Sequence, residues 1–82
     1  MSDIKMAPFS NESEASIIGS IFREPDRIHE AMSLIDPEDL FSHEIRIIYK
    51  AMIKLKRKDQ PIDMITLADE LKNQNKFDDV GG

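Results

Sequence analysis

The stretch Ile45-Arg46-Ile47-Ile48-Tyr49-Lys50-Ala51-Met52-Ile53-Lys54-Leu55 decides the fold. Ile45, Ile48, Tyr49, Met52 and Leu55 recur at i, i+3, i+4, i+7 and i+10, which is one face of an α-helix. Ser42 stands where an N-cap belongs, and Glu44 places an acid in the first turn, where the helix dipole favours it. Lys54, Lys56, Arg57 and Lys58 close the segment with cations beside the carbonyl end of the same dipole. That basic run is also the one cluster that suggests phosphate contact.

Upstream the helical pattern repeats. Ile28, Ala31, Met32 and Ile35 lie at i, i+3, i+4 and i+7, predicting a second helix over roughly residues 25–35. Pro25 suits its first position, and Asp36-Pro37 stops it, because the residue before proline avoids the helical region. Residues 37–40 are expected to make one short turn that buries Leu40 and Phe41. Further back, Ile17, Ile18, Ile21 and Phe22 mark another helical face. Asn11 with Glu14 forms its expected capping box, and Ser10 competes for the cap. Glu12 and Glu14 match the dipole there or meet a basic partner. Gly19 inside this helix costs about 1 kcal/mol against alanine, so close approach of a neighbouring helix is expected. Residues 1–9 read as a flexible lead-in to one domain over 10–82.

Downstream, residues 57–61 form a polar loop closed by Pro61, and 61–65 are expected to be extended. Thr66 with Asp69 is the expected capping box of a fourth helix over 67–75, with Asp63 a rival cap. Leu67, Ala68 and Leu71 point inward, and Phe77 and Val80 fold back on the core. The expected core is therefore Ile18, Ile21, Phe22, Ile28, Met32, Ile35, Phe41, Ile45, Ile48, Tyr49, Met52, Leu55, Leu67 and Leu71. The expected helix caps are Asn11, Ser42 and Thr66. No segment alternates as a strand would. The fold class is all-α, a compact orthogonal bundle of about four short helices rather than a coiled coil.

Composition narrows the function classes. The chain has 82 residues, with 11 basic against 16 acidic side chains and a net charge of −5, which argues against nonspecific nucleic-acid binding. Hydrophobic residues make up 40% of it, enough for a core and too many for a disordered tail. Cysteine is absent, so disulfides and zinc ribbons are excluded. His29 and His43 have no ligand-spaced partner and suggest no metal. The three glycines, Gly19, Gly81 and Gly82, cannot compose a phosphate-binding loop. No apolar run approaches the roughly 20 residues of a membrane span, and a cytoplasmic protein is expected. Tyr49 is expected in the core with its hydroxyl at the rim.

Four blocks carry a resemblance to a known family. The first is Pro8-Phe9-Ser10-Asn11-Glu12-Ser13-Glu14 with Ile18-Gly19, and the second is Asp39-Leu40-Phe41. The third is Ile48-Tyr49 with Met52 and Leu55. The fourth, and most specific, is Pro61-Ile62-Asp63 with Ile65-Thr66-Leu67 and Leu71, ending in Asp79-Val80-Gly81-Gly82. In this order they resemble the N-terminal domain of replicative DNA helicases of the DnaB family. Ser13 replaces the family's usual alanine, Asp59-Gln60 stand where it often has a glycine, and His43 is slightly early for its frequent third-helix histidine. The resemblance implies a non-catalytic collar domain of a hexameric helicase, contacting other helicase subunits and docking primase or a helicase loader. It places ATP and magnesium in a C-terminal motor domain, with no cofactor on this chain. It also implies that this head, lacking the family's helical hairpin, is monomeric or weakly dimeric. Two other readings stay open: a free-standing phage or plasmid decoy that blocks a helicase or primase, and a small nucleic-acid-binding helical domain.

Overall fold

The computed structural model describes residues 11–80, and of Asn11 and Glu12 the backbone alone. The expected Asn11 cap therefore lies outside the described side chains. Helix α1 spans Asn11–Arg23, α2 spans Arg27–Leu34, α3 spans His43–Arg57 and α4 spans Met64–Asn73. Short 3-10 turns at Pro37–Asp39 and Asp78–Val80 complete the order. All regular structure among the described residues is helical, and no described helix is long and apolar enough to cross a membrane.

Helix α3 is the hub. It packs against α1, α2, α4 and both 3-10 turns. A helix covered on several sides buries more than one stripe. Ile47, Tyr49, Ala51, Met52, Ile53 and Leu55 are all buried along it. Ile45 and Ile48, expected in the core, are only half-buried and pack on its edge. From the other elements Ile18, Ile21, Ile28, Ala31, Leu40, Ile62, Leu67 and Leu71 complete the core. Phe22, Ile35, Phe77 and Val80 are half-buried against it. Lys72 Nζ lies 4.9 Å from the centre of the Phe77 ring, a cation–π contact that holds the returning segment.

Two expected core residues lie outside. Phe41 is 81% exposed. Leu40 and Ser42 have extended backbone, so successive side chains point to opposite sides, and Leu40 takes the inward place. Met32 is 36% exposed because α2 turns Ile28 and Ala31 to the core and leaves Met32 on the flank.

Element boundaries also differ. Helix α2 begins at Arg27, two residues after Pro25, and Pro25-Asp26 form a turn whose carbonyls accept from the Ile28 and His29 N–H groups. Helix α4 begins at Met64, so Met64 and Ile65 are helical and largely exposed rather than extended. Its N-cap is Asp63, not Thr66. Asp63 Oδ1 accepts from the Thr66 N–H at 2.9 Å, and Thr66 Oγ1 accepts from the Asp63 N–H at 3.0 Å. Thr66 is thus the third residue of a reciprocal box, and its hydroxyl donates to the Pro61 carbonyl at 2.8 Å. The Thr66 N–H, donating to the Asp63 carboxylate, holds that carboxyl below its ordinary pKa. Ser42 caps α3, its Oγ accepting from the Ile45 N–H at 3.3 Å.

The C-termini of α3 and α4 close alike. The Asp59 and Gln60 N–H groups donate back to the Lys56 and Leu55 carbonyls, and those of Asn75 and Lys76 donate to Lys72 and Leu71. These are Schellman closures, which need a left-handed residue just past the helix. Asp59 and Asn75 supply it, each with φ of 60°.

Candidate interaction surface

Two buried acids brace the scaffold beneath the surface. Glu14 is fully buried, and its carboxyl accepts from the Phe41 N–H at 2.6 Å and the Ser42 N–H at 3.0 Å. It therefore ties α1 to the entry of α3, neither matching a dipole nor waiting for a basic partner. Glu70, on α4, is 3% exposed. Lys58 donates to it at 2.8 Å, Gln74 donates at 2.6 Å, and Lys54 Nζ lies 3.7 Å away. The Lys58 hydrogen bond, then that of Gln74, holds its carboxyl below the ordinary carboxylate value. Two members of the basic run thus clamp α3 to α4. Sequence reasoning gave Glu14 a capping role instead of this buried one and did not single out Glu70, although a signal existed. Glu14 shares the helical register of Ile17, Ile18 and Ile21, and Glu70 that of Leu67 and Leu71, so each interrupts an apolar stripe.

Tyr49 is fully buried, and its hydroxyl donates to the Ile35 carbonyl at 2.8 Å. Burial, with Asp36 and Asp39 nearby, raises its pKa, so the phenol stays neutral. Among the described residues Gly19 has no close helix against it. A Cβ built there meets, of those residues, the Arg23 guanidinium alone, at an ordinary 3.6 Å, against the expected close approach.

Above Glu70 the surface opens into a groove of about 650 Å³. Met32, Ile35, Pro37 and Ile53 supply its apolar lining, and Lys50, Lys54, Arg57 and Lys58 its basic rim. Lys50 and Gln74 also line an adjoining hollow of about 300 Å³, with Glu38, His43, Arg46, Ile47 and Lys76. Glu38 pairs loosely with Arg46 at 3.9 Å and Lys50 at 3.6 Å. Arg46 Nε is buried without a hydrogen-bond partner among the described residues. A third, apolar hollow of about 280 Å³ lies between α1 and α2, lined by Ile17, Ile21, Ala31 and Leu34 among others. No group of three potential metal ligands converges among the described residues. The arrangement is that of a rigid bundle with hollows for side chains.

Comparison with known proteins supplies the lineage. Residues 6–82 match the family model described as the DnaB-like helicase N terminal domain. The chain belongs to that family. This DnaB-type domain is 31% identical over 78 residues to the replicative DNA helicase DnaC of Bacillus subtilis, covering 95% of the chain and 17% of that helicase. It is 27% identical over 78 residues to the replicative DNA helicase DnaB of Geobacillus stearothermophilus, with the same coverage. The fold matches the crystal structure of the N-terminal domain of DnaB helicase from Mycobacterium tuberculosis with a TM-score of 0.86 and 25% identity. That match covers 92% of this chain and 52% of the other. The domain thus spans about a sixth of the curated relatives' length.

Proposed function

We propose that this chain is the non-catalytic head of a hexameric replicative DNA helicase, a rigid collar element that docks other helicase subunits and primase or a helicase loader. The observation that carries this reading is the family match from residue 6 to 82, in the absence of any glycine-rich phosphate loop in the sequence. ATP and magnesium would act in a motor domain outside these residues, and this head would contribute surface alone. Large apolar side chains held out on a well-capped scaffold suit that role: Leu34, Phe41, Met64 and Ile65 are each at least 70% exposed. The test is a two-dimensional NMR titration of the chain with the C-terminal domain of the cognate primase, then with the cognate loader and helicase subunits. Localised shift changes with one of them support a docking head. An intact fold that responds to none of them sinks the reading.

A further inference from the structure

The groove above Glu70 and its adjoining hollow share Lys50 and Gln74, so they form one continuous face. Six of the chain's 11 Lys and Arg residues line it: Arg46, Lys50, Lys54, Arg57, Lys58 and Lys76. Its acids are Asp36 and Glu38 in the lining and Glu70 beneath, which leaves 5 of 11 bases and 13 of 16 acids elsewhere in the chain. A protein of net charge −5 thus gathers its positive charge on one side. The charge is also partly unspent. Arg57 and Lys76 make no side-chain hydrogen bond or ion pair among the described residues. Arg46 reaches Glu38 only at 3.9 Å.

The geometry is linear. Lys50, Ile53, Lys54 and Arg57 stand at i, i+3, i+4 and i+7 along α3, a stripe about 10 Å long at 1.5 Å per residue. Apolar residues run beside the cations, with Met32 and Ile35 facing Ile53 across the groove. We propose that this face docks an acidic amphipathic helix of a partner protein, with that helix's apolar stripe on Met32, Ile35 and Ile53 and its carboxylates against Arg46, Lys50, Arg57 and Lys76. A groove with an apolar floor and charged walls is the usual seat of such a helix, which inserts anchors at i, i+3 or i+4, and i+7. Nucleic acid fits less well. Neither hollow is lined by a Phe, Tyr or Trp to stack a base, the His43 imidazole being the one aromatic ring there, Asp36 and Glu38 oppose phosphates, and the apolar floor offers nothing to a sugar–phosphate chain. The inference rests on the docking-head reading and names the chemistry of what docks.

The test is an NMR titration of the ¹⁵N-labelled chain with a synthetic helix of about five turns, bearing a leucine stripe flanked by glutamates. The expected result is shift changes confined to Met32, Ile35, Lys50, Ile53 and their neighbours. Binding should weaken about tenfold in Arg57→Glu and in Lys76→Glu, and should weaken as salt rises. Neither side chain has a partner among the described residues, so an unchanged melt confirms that the variants fold. A lysine-flanked version of the same helix should not bind. Four results overturn the proposal: no shifts at about 1 mM peptide, shifts on another surface, equal binding of the lysine helix, or tighter binding of a single-stranded oligonucleotide to the same residues. Shifts on this face that grow with protein concentration alone would assign it to a second copy instead. Primase or loader docking elsewhere would remove this proposal and leave the docking head. Peptide binding here, with primase, loader and helicase subunits all silent, would do the reverse.

Discussion

Glu14 spends both carboxyl oxygens on backbone N–H groups of a distant segment. Removing it leaves two donors without acceptors beside the core. Glu14→Ala should therefore cost about 2–4 kcal/mol, and Glu14→Gln less, because it keeps one acceptor oxygen. Urea melts of both variants check this, and equal losses would show that the carboxyl geometry is not what matters. Glu70 gives a pH signature. Its folded pKa is lowered from 4.5, so its contribution is present above that value and is lost as pH falls through the lowered one. Melting temperature should fall on acidification from about pH 5 to pH 3, and Glu70→Gln should flatten that fall while lowering stability at pH 7. An unchanged slope would remove Glu70 from the acid response. These two residues also mark the limit of what the sequence made legible. Helical periodicity identified the stripes they occupy, but Glu14 was read as a capping and dipole-matching residue and Glu70 was not singled out, because the backbone amides and lysines that satisfy them come from elements 12 to 28 residues away.

At the scale of the helix, two positions hold conformations that a different residue would suit better. Gly19 sits in α1 with room for a methyl group, so Gly19→Ala should raise stability by up to about 1 kcal/mol through helix propensity and a less disordered unfolded chain. A thermal melt below that of the parent would mean that Arg23 cannot yield at 3.6 Å. Asp59 takes the left-handed conformation that ends α3. Asp59→Gly should stabilise by about 0.5–1 kcal/mol, measured in the same melt, since glycine adopts that region without steric cost. Periodicity placed all four helices, and the caps defined their starts less well. Ser42 was legible because an apolar stripe follows it directly. Asp63 and Thr66 were not separable, since each can accept from the backbone of a following turn and only the actual box shows which one starts the helix.

For the molecule as a whole, the central position of α3 decides which substitutions matter. Met52 is fully buried and Ile48 only half-buried, so Met52→Ala should cost about 2–4 kcal/mol and Ile48→Ala distinctly less. Equal losses in denaturant melts would place Ile48 deeper than its exposure indicates. A one-sided stripe was the natural reading of residues 45–55, and it failed for a reason of topology. The periodicity of one helix cannot reveal that α1, α2, α4 and two 3-10 turns surround it, nor that Ile47, Ala51 and Ile53 are buried in consequence. The basic face was hidden in part likewise, because Lys76, from beyond α4, joins the α3 cations only in three dimensions. The grip of Glu14 carries a last consequence. The Phe41 and Ser42 amides lie in a connecting segment and would ordinarily trade their protons with solvent quickly. Held by a carboxyl on α1, they can exchange only when α1 lifts away. Their deuterium uptake is therefore a built-in gauge of first-helix detachment, readable with no label on α1 itself.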